Sequence, residues 1–72
     1  MDKRAISVIA ENLAVREISN EAVTSLINDS ELKIRQIISL AFTFMKRSHR
    51  QVLECKDIKR AMKILNLDVI SY

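Results

Sequence analysis

Neither glycine nor proline occurs anywhere in the 72 residues. At average usage about five Gly and three or four Pro would be expected in a chain this long. Their absence excludes whole classes of chemistry. Phosphate-cradling loops, dinucleotide fingerprints and tight primed hairpins all need Gly at positive φ or at a close backbone approach. It also leaves helices with few internal stop signals.

Hydropathy periodicity gives three helices. The first runs from about Lys3 to Ala14, with Ile6, Ile9 and Leu13 at +3 and +4 and Ala5 and Ala10 beside them. Ser19 is placed to cap the second, and Glu21 lies in its first turn, where the helix dipole favours a carboxylate. That helix reads without interruption from Asn20 to about Arg47, about 42 Å at 1.5 Å per residue. Val23, Ile27, Ile34, Ile38, Ala41 and Met45 form one apolar stripe along it, and Leu26, Ile37, Leu40 and Phe44 a second. Polar residues keep only a strip through Ser25, Asp29, Gln36, Ser39 and Thr43. A helix apolar over that much of its circumference must be covered on several sides. Two short flanking helices are not expected to suffice, which predicts self-association of the isolated chain or burial against a partner. Gln51-Val52-Leu53 reads as a short extended piece. A last helix starts near Glu54 or Cys55, buries Ile58, Ala61, Met62 and Leu65, and ends near Asn66. The domain is expected to span residues 1–68, with 69–72 a tail leading out of it.

Composition narrows the function. Hydrophobic residues make up 49% and charged residues 29%, a globular balance. No apolar run is long enough to span a bilayer, and no continuous apolar run follows Lys3 and Arg4, so neither a membrane span nor a secretory leader is expected. One Cys and one His cannot supply a Cys/His zinc site or an internal disulfide, which predicts no metal cofactor and a reducing compartment. Cys55 and His49 each lack the remaining members of a catalytic set, so no enzyme is expected. Charge is uneven: residues 1–45 are net −1 and residues 46–72 net +4. Such a basic end suits an acidic partner or nucleic acid, and equally an ordinary solvated face.

Arg50-Gln51-Val52-Leu53, Asp57-Ile58 and Ala61-Met62-Lys63 resemble the second loop and third helix of the histone fold. Val8-Ile9-Ala10-Glu11-Asn12, Phe44-Met45 before Lys46-Arg47, and Leu65-Asn66-Leu67-Asp68 are similar to the histone-four-like TBP-associated factors of TFIID- and SAGA-type complexes. The resemblance covers about residues 5–68. Glu54 departs from the family's capping Thr, and Val69-Ile70-Ser71-Tyr72 from its usual tail.

This resemblance implies an all-α histone fold of short helix, loop, long central helix, loop and short helix. It implies a handshake heterodimer with a histone-three-like TBP-associated factor, in which each first loop pairs with the partner's second loop in a parallel bridge. Val23, Ile27, Ile34, Ile38, Ala41, Met45, Arg16, Ile18, Val52 and Leu53 are then the expected partner-binding residues. Arg50 and Asp57, seven apart, are an expected structural pair. The implied role is assembly of a transcription initiation or coactivator complex in the nucleus. A DNA-binding histone-fold protein of centromeric or CCAAT-binding type is the alternative. Weak DNA contact would fall to Lys46, Arg47, Arg50 and Lys56. Alignment with histone four puts Glu17 where an Arg would enter the minor groove, so DNA binding is expected to be weak and non-specific at most.

Overall fold

The computed structural model describes the backbone of residues 1–70 and the side chains of residues 1–65. Four helices and two short strands follow in the order α1 (Lys3–Asn12), β1 (Glu17–Ile18), α2 (Asn20–Leu26), α3 (Glu31–Arg47), β2 (Val52–Leu53) and α4 (Cys55–Ile70). The strands pair in parallel, Glu17 opposite Val52 and Ile18 opposite Leu53. The all-α, histone-fold-like class read from the sequence is the one observed.

The caps follow the chemistry of the chain. Asp2 accepts from the Arg4 amide, Ser19 from Ala22 and Ser30 from Lys33. Each satisfies one of the free N–H groups of a first turn. α1 ends two residues earlier than expected, and it ends in the same way as α3. In α1 the Ala14 N–H donates to Glu11 O (3.0 Å) and the Val15 N–H to Ala10 O (2.9 Å). In α3 the His49 N–H donates to Lys46 O (3.0 Å) and the Arg50 N–H to Met45 O (3.2 Å). These are Schellman closures, which place the residue after the cap in the left-handed region. Here Ala14 (φ 71°) and His49 (φ 57°) occupy it without glycine. A Cβ there costs roughly 1–2 kcal/mol, partly offset by the extra unfolded-state entropy of Gly. Ala14→Gly is therefore expected to raise the unfolding free energy by about 0.5–1 kcal/mol. Urea melts of the two chains check this; a loss of stability would show that the Ala14 methyl makes a contact worth more than the strain.

The uninterrupted 20–47 helix is not what forms. It breaks at Ile27–Ser30, between α2 and α3. Asn28, Asp29 and Ser30 have short polar side chains that compete with helical hydrogen bonds, and Ser30 starts a new helix with Glu31 in its first turn. A straight helix of about 42 Å is also longer than the longest dimension of the molecule, 36 Å. The break folds α2 back against α1 and α4, while α3 packs along α4. The chain thereby covers its own stripes: Val23, Leu26, Ile34, Ile37, Ile38, Ala41, Phe44 and Met45 are all buried, together with Ile6, Ile9, Leu53, Ile58 and Ala61. The expectation that flanking helices could not cover the apolar surface fails for this reason. The last helix does not stop at Asn66 but continues through Ile70. Asn costs only a few tenths of a kcal/mol in a helix interior, and no Gly or Pro intervenes. Of the expected tail, 69 and 70 thus belong to α4, and 71–72 lie outside the described residues.

Candidate functional site

The two loops meet on one side of the molecule. Beyond the strand register, the Ser19 N–H donates to Leu53 O at 2.9 Å, so the start of α2 is tied to the start of α4. The parallel bridge that the resemblance implies between two chains is here formed within one.

Arg50 and Asp57 meet as expected. The guanidinium donates from Nη1 to Oδ2 (3.0 Å) and from Nη2 to Oδ1 (2.6 Å), a bidentate pair. Asp57 is only 3% exposed and is the one buried charged side chain among the described residues. Its Oδ2 also accepts from the Glu54 backbone N–H at 3.0 Å. Asp57 thus supplies the backward half of a capping box to α4, and Glu54, which lacks a capping hydroxyl, uses its carboxylate elsewhere. That carboxylate lies 3.3 Å from Arg50 and 3.7 Å from Lys56. Sequence reasoning placed Arg50 and Asp57 together but missed Glu54. The acidic residue four after Arg50 was the available signal.

Burial on its own would raise the Asp57 carboxyl. The Arg50 hydrogen bonds, the Glu54 amide and the positive charges of Arg50 and Lys56 outweigh burial and hold it below the usual carboxylate range. The same hydrogen bonds raise Arg50 against its own desolvation, with the Asp57 and Glu54 charges adding to the effect.

Between the first loop and the end of α3 lies an open cleft of about 510 Å³, bordered by Arg16, Glu17, Phe42, Lys46 and Arg50 among others. The Lys46 ammonium sits 4.7 Å from the Phe42 ring centroid, and the Arg60 guanidinium 4.5 Å from that of Phe44. Of the residues expected to offer weak DNA contact, Lys46 and Arg47 are exposed at the C-terminal end of α3. Arg50 is committed to Asp57 and Glu54, and Lys56 lies beside Glu54. Glu17 is exposed in the bridge.

The expected partner-binding residues divide by burial. Val23, Ile34, Ile38, Ala41, Met45 and Leu53 face the interior of this chain. Ile18, Ile27 and Val52 are half-buried, and Arg16 is exposed. His49 is exposed and serves through its backbone. Cys55 is half-buried at the first turn of α4. Among the described residues no group of three His, Cys, Asp or Glu side chains is placed to hold a metal ion, and no helix is long and apolar enough to cross a membrane.

Helices packed around a two-residue parallel bridge, with no closed sheet, define an all-α chain of the histone-fold-like class. Residues 1–63 match the TATA box binding protein associated factor (TAF) family, and the chain belongs to that family. It is similar to transcription initiation factor TFIID subunit 6 of Drosophila melanogaster, 33% identical over 64 residues, which is 89% of this chain and 11% of that protein. Similarity of 33% over 64 residues extends to the SAGA complex/transcription factor TFIID complex subunit Taf6 of Schizosaccharomyces pombe, covering 89% of this chain and 14% of that protein. TFIID subunit 6 of Arabidopsis thaliana is 29% identical over 68 residues, 94% of this chain and 12% of that protein. The chain therefore spans only a small part of the length of these relatives. No solved structure matches it.

Proposed function

We propose that this chain is an assembly subunit, or the pairing module of one, in a general transcription factor or coactivator complex of TFIID or SAGA type. Its partner is a histone-three-like TBP-associated factor, its place of work is the nucleus, and it carries out no chemistry. The observation that carries this reading is the match of residues 1–63 to the TAF family, together with relatives named as TFIID and SAGA subunits. The outer side of the loop bridge, where Arg16 is exposed and Ile18 and Val52 are half-buried, is the surface on which a second histone-fold chain would first dock. Purification of a tagged form of the protein from nuclear extract tests the reading. Recovery of a histone-three-like TBP-associated factor in equal amount is expected; recovery of none, with DNA retained instead, would overturn it.

DNA binding is the second reading, supported by the seven basic residues between Lys46 and Lys63. Phosphate attraction of that kind gives roughly 10⁻⁴ to 10⁻⁶ M non-specific affinity at physiological salt. Glu17 opposes an approach at the first loop, so Glu17→Arg is expected to strengthen binding severalfold. Titrations onto duplexes of several sequences at two salt concentrations check both points. Nanomolar, salt-resistant or sequence-selective binding by the unmodified chain would favour the DNA reading over assembly.

A further inference from the structure

We propose that the outward face of α4 is a docking surface for an amphipathic acidic helix of a protein partner, its carboxylates three and four residues apart. This face is separate from the loop bridge, and the inference does not depend on which chain meets that bridge. The first observation is geometric. Lys56, Lys59, Arg60 and Lys63 are exposed, while Asp57, Ile58 and Ala61 on the other side of the helix are buried. At 3.6 residues per turn the four cations cover about 100° of the helix circumference and about 10 Å of its length. They form one row, directed away from α2 and α3, against which α4 packs.

The second observation is pairing. Around the start of α3, exposed charges come as opposite pairs four residues apart, Lys33 with Asp29 and Arg35 with Glu31. That is how a merely solvated helix face is stabilised. The α4 row does the reverse. Lys56 faces Lys59 and Arg60, and Lys63 faces the same two, as like charges three or four residues apart. That spacing destabilises a helix. Lys56 also stands in the first turn of α4, where the dipole disfavours a cation. The nearby carboxylates are already engaged: Asp57 is buried on Arg50, and Glu54 is shared between Arg50 and Lys56. Among the described residues, Lys59, Arg60 and Lys63 have no carboxylate within ion-pair distance. An apposed row of carboxylates turns this local repulsion into attraction.

The third observation selects a helix over nucleic acid. Half-buried Met62 borders the row on the Lys59 side, and Ile64, 38% exposed, borders it on the Arg60 side. Phosphates offer nothing to such apolar edges, whereas an amphipathic helix carries apolar residues beside its charged stripe. The Arg60 guanidinium rests 4.5 Å from the Phe44 ring centroid, which holds its planar donor fork in place for a carboxylate. A helix laid along α4 has the same rise per residue, so carboxylates at i, i+3, i+4 and i+7 meet the four cations in register, in either chain direction. An extended peptide, rising about 3.3 Å per residue, does not.

Calorimetric titration of the 72-residue chain with two synthetic peptides of one composition tests this. One is a helix with Glu at i, i+3, i+4 and i+7 and Leu beside them; the other scatters the same residues. The patterned peptide should bind about tenfold more tightly, or better. Lys59→Glu with Lys63→Glu should weaken its binding by roughly tenfold or more, and Lys59→Gln with Lys63→Gln, which adds no new charge, by about threefold. Lys3→Glu with Arg4→Glu makes the same change of net charge as the first pair but on α1, and should stay within about twofold. Circular dichroism melts confirm that each variant is folded. A short DNA duplex should displace the patterned peptide only at concentrations above the peptide's own. Displacement below that concentration would place nucleic acid on the row and overturn the proposal. Equal binding of the two peptides, equal loss in the α4 and α1 charge variants, or no binding of the patterned peptide up to submillimolar concentration would overturn it as well.

Discussion

Ile38→Asp abolishes the cooperative fold of the isolated chain. Ile38 has no solvent exposure and sits midway along α3, at the centre of the core. Removing its side chain volume alone costs about 2–5 kcal/mol. A carboxylate without a partner at that depth adds several kcal/mol more, or takes up a proton at comparable cost. A domain of this size has a total stability of roughly 4–11 kcal/mol. Ser39→Asp, one residue on and exposed, should stay within about 0.5 kcal/mol of the unmodified chain. Circular dichroism melts in urea separate the two; equal tolerance of both would mean that the faces of α3 are wrongly assigned. Because Ile38 is a core residue of the closed chain, loss of a partner from this variant would report unfolding as well as pairing. The half-buried Ile18, Ile27 and Val52 are the better probes of an interface.

Asp57→Ala is expected to cost about 2–3 kcal/mol, because it leaves the Glu54 amide without its acceptor and the Arg50 guanidinium without its bidentate partner. Arg50→Ala should cost less, since the guanidinium is partly exposed and the Glu54 amide still holds the carboxylate. The double variant should lose less than the sum of the two, and additive losses would show that the side chains do not act together. The pH dependence carries the same signature. The Asp57 carboxyl is lowered on folding from an ordinary value of 3.8. Its contribution is therefore fully present above that value and is lost as pH falls through the lower, folded one. Stability of the natural chain should drop below about pH 4 more steeply than that of Asp57→Asn. Parallel curves would show that the carboxyl titrates no differently in the folded chain.

The residues that gave themselves away did so through strong local chemistry. Ile6 and Ile9 mark the buried face of α1, Ser19 caps α2, and Ile58 and Ala61 mark the buried face of α4. The Arg50–Asp57 pair was legible through resemblance to a known loop. The joint at Ile27–Ser30 was hidden by periodicity: the stripe continues through it in phase, and the usual breakers are missing. Asn28-Asp29-Ser30 followed by Glu31 was the signal, three short polar residues ending in a helix cap. The positive φ values of Ala14 and His49 left no mark in the sequence, because neither is glycine. Nor could the sequence tell that Val52 and Leu53 would pair with Glu17 and Ile18 of their own chain. A two-residue parallel bridge has the same hydrogen bonds within a chain as between chains, and in this structure the chain makes it with itself.

Whether this chain is a pairing module is decided by the stoichiometry of a reconstituted complex. The 72-residue chain is co-expressed with a histone-three-like TBP-associated factor, and the product is weighed by light scattering during gel filtration at low micromolar concentration. A single species with one copy of each chain, stable through dilution, is the result expected. Two separate peaks, each chain eluting without the other, would contradict it.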